Sequence, residues 1–341
     1  LKETLALSNP WEAIDWDCLD RLRKGFLNAD AGLDDYWRST ADLYAYDQTF
    51  AQRIGWKWDY VLNELQIRGW KPPEAEVFDW GCGSGIAHRC VFRAFPQTLA
   101  GGLALWDRSH LASNYASQTA LKFFPDLKQR ISQRSPGGLL LLSHVLTELT
   151  EAGLQELISI VREASAVIWV EPGTYDASRR LIAVREQLRA EAGIQVIAPC
   201  VHALRCGLLA EDNTSHWCHF FAAPPSAIFT DPDWMRFGHA AGIDLRSLPL
   251  SYLVLDRRPA APLPAGAVRI LGSPRVYKGY ALATGCTAEG VGEKRISKRS
   301  LPEAYKACKK DTLESLEEWE CTGHEVVRLK KWTAQPGGQE S

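Results

Sequence analysis

The sequence predicts an α/β protein built on a doubly wound, mostly parallel sheet, with a helical region ahead of it and a cysteine-rich insertion within it. Three observations carry this expectation. Near-continuous apolar runs at 77–80, 103–107, 138–144 and 166–170 are separated by helical lengths, the pattern of parallel strands covered on both faces. The first run, Val77-Phe78-Asp79-Trp80, leads straight into Gly81-Cys82-Gly83-Ser84-Gly85, a glycine-rich turn that opens a helix. From Val196 to about Gly242, by contrast, periodicity fades while Cys200, His202, Cys206, His216, Cys218, His219 and His239 accumulate.

At 341 residues the chain can bury a full core. Hydrophobic residues make up 46% and charged residues 23%, and no run is long enough to span a bilayer. The net charge of −2 means that contact with a polyanion must come from local clustering. Nine cysteines without a secretory leader argue for a reducing compartment and against a disulfide framework. The sequence begins at Leu1, so a preceding transit peptide stays open.

Taken in order, residues 1–70 read as a helical region, with Ile54, Trp58, Leu62 and Leu65 on one apolar face and Gly69 as the stop before Pro72-Pro73. Trp11, Trp16, Trp37, Trp56 and Trp70 are assigned to packing of that cap rather than to a binding surface. An α/β core follows over 71–195. Its helix over 177–190 carries Arg179, Arg180, Arg185 and Arg189, read as a solvated face that could also meet phosphate. The Cys/His-rich insertion covers 196–245. Over 246–290, Leu250–Leu255 and Tyr280–Cys286 are expected to complete the sheet. Residues 291–341 hold a basic segment, with Lys294, Arg295, Lys298, Arg299, Lys306, Lys309 and Lys310, then an acidic tail with a disordered end.

The chemistry concentrates at two places. Spacing Gly-x-Gly-x-Gly after an aspartate differs from the Gly-x-Gly-x-x-Gly of pyrophosphate sites. A carboxylate at Asp79 would repel a pyrophosphate but suits the ammonium and sulfonium of S-adenosylmethionine, unless the turn is a plain strand-to-helix loop. Asp107, ending the second run, is placed either to accept from ribose hydroxyls or to cap the next helix. Cys200, Cys206 and Cys218 fall as C-x5-C-x11-C, and Cys286 ends a later run. Four thiolates suit a tetrahedral zinc or an iron–sulfur cluster, the neighbouring histidines allow a mixed zinc site, and unlinked core thiols are the alternative. Cys18, Cys82, Cys90, Cys308 and Cys321 read as packing or surface residues.

Together, Phe78–Gly85, Ser143-His144-Val145-Leu146-Thr147-Glu148-Leu149, Val170-Glu171-Pro172-Gly173-Thr174, Ala198-Pro199-Cys200-Val201-His202 with Cys206, Trp217-Cys218-His219-Phe220, Ser251–Leu255 and the late Cys286 resemble one family over about residues 35–310. It is the methyltransferase-like small-ribosomal-subunit proteins of mitochondria, with bacterial counterparts. The resemblance implies a class I S-adenosylmethionine-dependent methyltransferase (Rossmann-like) fold carrying a [4Fe–4S] cluster, with a role in small-subunit assembly through contact with ribosomal RNA. It implies cluster ligands Cys200, Cys206, Cys218 and Cys286, and cofactor contacts Asp79, Gly81, Gly83, Gly85 and Asp107. The compartment would be the cytoplasm of a bacterium or the mitochondrial matrix of a eukaryote.

Two departures stand out. The family tends to have proline after its first two cluster cysteines, where this chain has Val201 and Gly207. Neither an Asn/Asp-Pro-Pro-Tyr/Phe motif nor a cysteine nucleophile follows the 138–144 run. His144 and Glu148 are the remaining candidate bases, with lining of the cofactor pocket as their other role. An active RNA or small-molecule methyltransferase with structural zinc is the competing reading.

Overall fold

The computed structural model describes residues 10–27, 37–259, 263–264 and 266–332. The disordered end expected of the tail lies outside these residues. Helices α1 (Trp16–Leu27), α2 (Thr40–Gln48) and α3 (Phe50–Ile67) open the chain. Ser39 caps α2, its hydroxyl accepting the amide of Asp42 at 3.2 Å. The expected face of α3 is buried, and the helix ends at Gly69, φ 70°, where the Trp70 amide reaches back to the Leu65 carbonyl at 2.9 Å.

The following elements are β1 (Val77–Trp80), α4 (Ile86–Ala94), β2 (Leu103–Trp106), α5 (His110–Phe123), β3 (Gln129–Ile131), β4 (Leu139–Ser143), α6 (Glu151–Glu163), β5 (Ala166–Pro172) and α7 (Tyr175–Arg189). Then come β6 (Gln195–Ala198), β7 (Phe220–Ala222), α8 (Pro232–Ala240) and β8 (Leu248–Asp256). The chain ends in β9 (Ala267–Val276), β10 (Tyr280–Thr287), β11 (Gly290–Ser297), α9 (Pro302–Lys310), β12 (Leu316–Thr322) and β13 (Glu325–Lys331). No helix among the described residues is long and apolar enough to cross a membrane.

The chain divides into two compact units. The first comprises Leu1–Leu62, Pro72–Ala164 and Ala222–Leu248. Its strands run β3-β2-β1-β4, all parallel, with Asp79 beside Leu105 on one side and Leu141 on the other. Strands this apolar, buried on both faces, leave only their carboxyl ends to meet a ligand. Trp11 stacks on Trp16 at 6.0 Å and meets Trp234 edge-on at 5.2 Å, while Trp56 lies 5.1 Å from Trp234, so these rings pack the cap as expected.

The second unit comprises Asn63–Lys71, Ser165–Phe221 and Pro249–Ser341. In it β8 runs antiparallel between β5 and β6. A parallel set ordered 3-2-1-4 with the glycine turn after its first strand, and a late antiparallel strand inserted beside β5, make the Rossmann-like class I methyltransferase fold the sequence predicts.

One expectation is corrected here. Of the two late runs only β8 joins the sheet; β10 belongs instead to a closed barrel, β10-β11-β13-β12-β9. Ala281, Ala283 and Gly285 alternate inward along β10, and a Cβ at Gly285 would sit 3.3 Å from Trp319 Cζ3, so small residues there make room for the indole. A register shift between Leu282 and Thr284 helps β10 coil. The acidic tail supplies the remaining strands β12 and β13.

On β12, Glu317 is 1% exposed, and burial pushes its carboxyl up to about 7 although Trp319 Nε1 donates to Oε2 at 2.9 Å. A carboxyl raised above its unfolded value contributes stability that is complete below the unfolded pKa and is lost as pH rises through the folded one. Glu317→Gln is therefore expected to stabilise the fold by about 1–3 kcal/mol at pH 8 and by little at pH 4. Thermal melts at both pH values check this, and an equal gain at each would contradict it.

Candidate functional site

The first candidate site lies at the carboxyl end of β1. Gly81, Gly83 and Gly85 have φ of 69°, 51° and 82°, values at which a side chain is strained. A Cβ on Gly81 would meet Val145 Cγ1 at 2.6 Å, and one on Gly85 would meet His88 Cε1 at 2.4 Å. Above Gly83 the space is open. The turn is therefore closed by protein at its two ends and open at its middle, as a backbone cradle for a ligand requires.

Asp107 is brought to this turn. Its Oδ2 accepts the Gly83 amide at 2.9 Å and its Oδ1 accepts the Ser109 amide at 2.9 Å, at the start of α5. Asp107 therefore stands between the glycine turn and the start of α5.

Asp79 is placed differently from a residue facing ligand directly. It is fully buried, and its Oδ2 pairs with His88 Nδ1 at 2.7 Å. Asp79 Oδ1 and His88 Nε2 are buried with no hydrogen-bond partner among the described residues. Two orphaned polar atoms beneath a glycine turn are costly unless a bound group or water satisfies them. Sequence reasoning missed His88; its only signal is its position three residues after Gly85, on the first turn of α4. Arg89 on the same turn donates to the Gly85 carbonyl at 3.1 Å and forms a buried ion pair with Asp47. Cys82 is buried, and burial drives its thiol well above its ordinary value, in keeping with a packing role.

His144 follows β4 with φ 57°, an uncommon conformation for a side-chain-bearing residue. Burial, then Lys57 and Arg53, push its imidazole well below the usual range, and Lys57 Nζ donates toward Nε2 at 3.5 Å. A ring held neutral by burial and by neighbouring cations is a poor proton acceptor. Glu148 closes the short turn Leu146–Glu148, and its charge, after burial, helps raise the Tyr46 phenol.

The second candidate site is built by α7 and the loop after β6. The four cysteines come together electrostatically: burial, then Cys200, Cys206 and Cys286, raise Cys218 well above its ordinary value. Cys286 is pushed up to about 12 by burial, then by Cys200 and Cys206. Among the described residues no three His, Cys, Asp or Glu side chains are set to hold a metal ion. Arg185 Nε donates to Cys200 Sγ at 3.1 Å, and its charged form is favoured by Cys200 and Cys206 against the cost of burial. Glu186 Oε1 accepts the Cys206 amide at 3.1 Å, and the hydroxyls of Ser178 and Ser251 both donate to the Cys218 carbonyl.

The arginines of α7 are thus not a solvated face. Arg185 is 3% exposed, and Arg179 reaches the Leu208 carbonyl, so at least two of them organise the cysteine loop. Of the nearby histidines, His202 Nε2 lies 3.8 Å from Cys286 Sγ, whereas His219 stacks on Trp217 at 4.4 Å and its Nδ1 meets the Trp217 carbonyl. His239 sits on α8, in the first unit. Gly207 has a local reason to replace proline: a Cβ there would come 2.9 Å from the Val291 amide nitrogen.

A buried ion network, also unforeseen from sequence, clamps the same loop. Glu64 pairs with Arg68 at 2.9 Å and with Arg269. Arg68 donates to the carbonyls of Ile197, Pro199 and Cys200, and Arg269 Nε to that of Pro199 at 2.9 Å.

No curated protein sequence matches the chain. Among solved structures, the plantazolicin methyltransferase BpumL, crystallised with a pentazolic desmethylPZN analog and SAH, is 11% identical, with 72% of this chain and 100% of that one covered and a TM-score of 0.38. Mitomycin 7-O-methyltransferase MmcR is 15% identical over 57% of this chain and 70% of its own, TM-score 0.37. The precorrin-6y C5,15-methyltransferase of Geobacter metallireducens GS-15 is 12% identical over 58% and 85%, TM-score 0.34. These likenesses are distant. Residues 67–314 match the model of a family described as mitochondrial small ribosomal subunit Rsm22. With that much of its length matched, the chain belongs to the Rsm22 family.

Proposed function

We propose that the chain binds S-adenosylmethionine at the glycine turn and associates with the small ribosomal subunit through ribosomal RNA, assisting its assembly, with a [4Fe–4S] cluster held by Cys200, Cys206, Cys218 and Cys286. The observation that carries the cofactor is the turn itself: three left-handed glycines, open above Gly83, with Asp107 tied to the Gly83 amide. Asp107, at the rim of the turn, would take the ribose hydroxyls, with the buried Asp79–His88 pair beneath the turn. Such a cofactor supplies an electrophilic methyl group when bound. His144, kept neutral beside Lys57, is poorly suited to take a proton, so the reading rests on binding and not on catalysis.

What supports the cluster is the chemistry of four cysteine thiols in one sequence set, although their side chains are not arranged around a metal among the described residues. Burial and the neighbouring thiols discourage ionisation of Cys218 and Cys286, and cations that work the other way are in place, Arg269 at both and Arg185 at Cys286. Membership of a family described as a small-ribosomal-subunit protein supports the ribosomal partner.

Gly85→Ala is expected to weaken S-adenosylmethionine binding at least tenfold by calorimetry, because the added methyl would displace His88 from under the turn. Wild-type affinity in that variant would overturn the assigned site.

A further inference from the structure

The barrel of the second unit has a topology that goes beyond the methyltransferase-like fold. In order around the barrel its five strands, numbered from β9, run 1-2-3-5-4, with α9 between the third and fourth and the third and fifth parallel. This is the arrangement of an oligonucleotide/oligosaccharide-binding (OB) barrel, whose ligand face is formed by strands 2 and 3 with the loops joining strands 1–2 and 4–5. Here those are β10, β11, the turn Lys278-Gly279 and the turn Gly323-His324.

One end of that face is filled by the chain itself. The cysteine loop packs on it: Asn213 Nδ2 donates to the Val291 carbonyl at 3.4 Å, Gly207 abuts Val291, and His202 Nε2 lies 3.8 Å from Cys286 Sγ. The end around the Lys278-Gly279 turn is open and differently furnished. Tyr277 and Tyr280 flank the turn with rings stacked at 4.9 Å and 18°. The Arg295 guanidinium lies over the Tyr280 ring at 4.6 Å, so the ring offered to solvent is that of Tyr277, 42% exposed beside Val276 at 39%.

Charge selects among the ligands such a barrel could take. Residues 275–299 hold six basic and two acidic residues in a chain of net charge −2, and the acid Glu293 is paired with Arg275. Lys278, Lys298 and Arg299 are exposed and in no ion pair among the described residues. A neutral sugar or an acidic peptide backbone gives no use for stacked planar rings and cations together, whereas single-stranded RNA offers bases to the rings and phosphates to the cations.

We propose that the Tyr277–Tyr280 end of this barrel is a stacking site for single-stranded RNA, with Lys278, Lys298 and Arg299 on the phosphates. It deepens the RNA association proposed above, and rests on it, by naming the strand state and the residues that read it. The site is sequence-tolerant, since every base has a face to stack.

The test uses the full chain and fluorescence anisotropy with a 5′-labelled oligouridine of about 12 nucleotides, within the site sizes OB folds cover. Tyr277→Ala is expected to weaken binding about tenfold or more, and Tyr277→Phe to stay within about twofold of wild type. Lys298→Ala should lower the salt slope by about 1. If Tyr277→Ala lowers the melting temperature, competition of wild type by a blunt RNA duplex decides instead: a stacking site is competed at least tenfold less well by duplex than by unlabelled single strand. Wild-type binding with no loss in Tyr277→Ala, or equal competition by duplex, overturns this site while leaving RNA association intact. Failure of wild type to bind any RNA overturns both, whereas S-adenosylmethionine binding, measured on the same sample, reports on the glycine turn alone.

Discussion

Replacing Arg269 by methionine is expected to destabilise the protein by about 3–5 kcal/mol, the cost of leaving a buried charge without its partner. Arg269 is 1% exposed on β9, yet it makes bonds to Glu64, to the Pro199 carbonyl and to Ser315 Oγ at 3.0 Å, with its guanidinium 5.2 Å above the Phe220 ring. It joins the barrel to the loop that carries Cys200. Methionine fills much of the same volume, so the loss reports charge and hydrogen bonding more than cavity. Glu64→Gln should cost a similar amount, and the double variant markedly less than the sum of the two, as a denaturant-unfolding cycle would show. Additive losses would contradict a coupled pair.

The pair also carries a pH signature. Burial works against the Glu64 carboxylate, but Arg269 and Arg68 outweigh it and hold its pKa below the ordinary value. A depressed carboxyl contributes stability that is present above its unfolded pKa and lost as pH falls through the folded one. The Glu64–Arg269 coupling should therefore be complete at pH 7 and fade only under strongly acidic conditions.

Loss of the cluster is the second large effect expected. Protein purified without oxygen should be brown, with about four iron and four sulfide per chain if the site is a [4Fe–4S] centre. Cys218→Ser should lose most of both, since Cys218 lies within electrostatic reach of each of the other three thiols. Colourless wild-type protein with stoichiometric zinc would replace the cluster by the zinc reading. A brown Cys218→Ser variant with undiminished iron would remove Cys218 from the ligand set.

Much of the sheet was readable because its signals are local. Apolar runs such as Leu139–Ser143, the glycine turn after Asp79, and the apolar face of α3 each follow from a few consecutive residues and the period of one element. The four cysteines could be grouped as candidates from the C-x5-C-x11-C spacing and the family resemblance, although Cys286 stands 68 residues beyond Cys218.

The barrel was not readable in the same way. Tyr280–Thr287 reads as a strand from its own residues, but nothing within it states which neighbour it will pair with. Likewise Arg185 and Arg269 look like surface cations, and His88 like any helical histidine. Their roles depend on partners distant in sequence or on the burial of their own atoms: Glu64 lies 205 residues from Arg269. The sequence by itself determined the class of fold, the glycine turn and the candidate thiol set, because backbone conformation and side-chain chemistry are local properties. The tertiary structure alone decided that Asp79 faces His88, that two arginines flank the thiols, and that the tail closes a barrel with an aromatic, basic end, because pairing and burial are set by the whole packed chain.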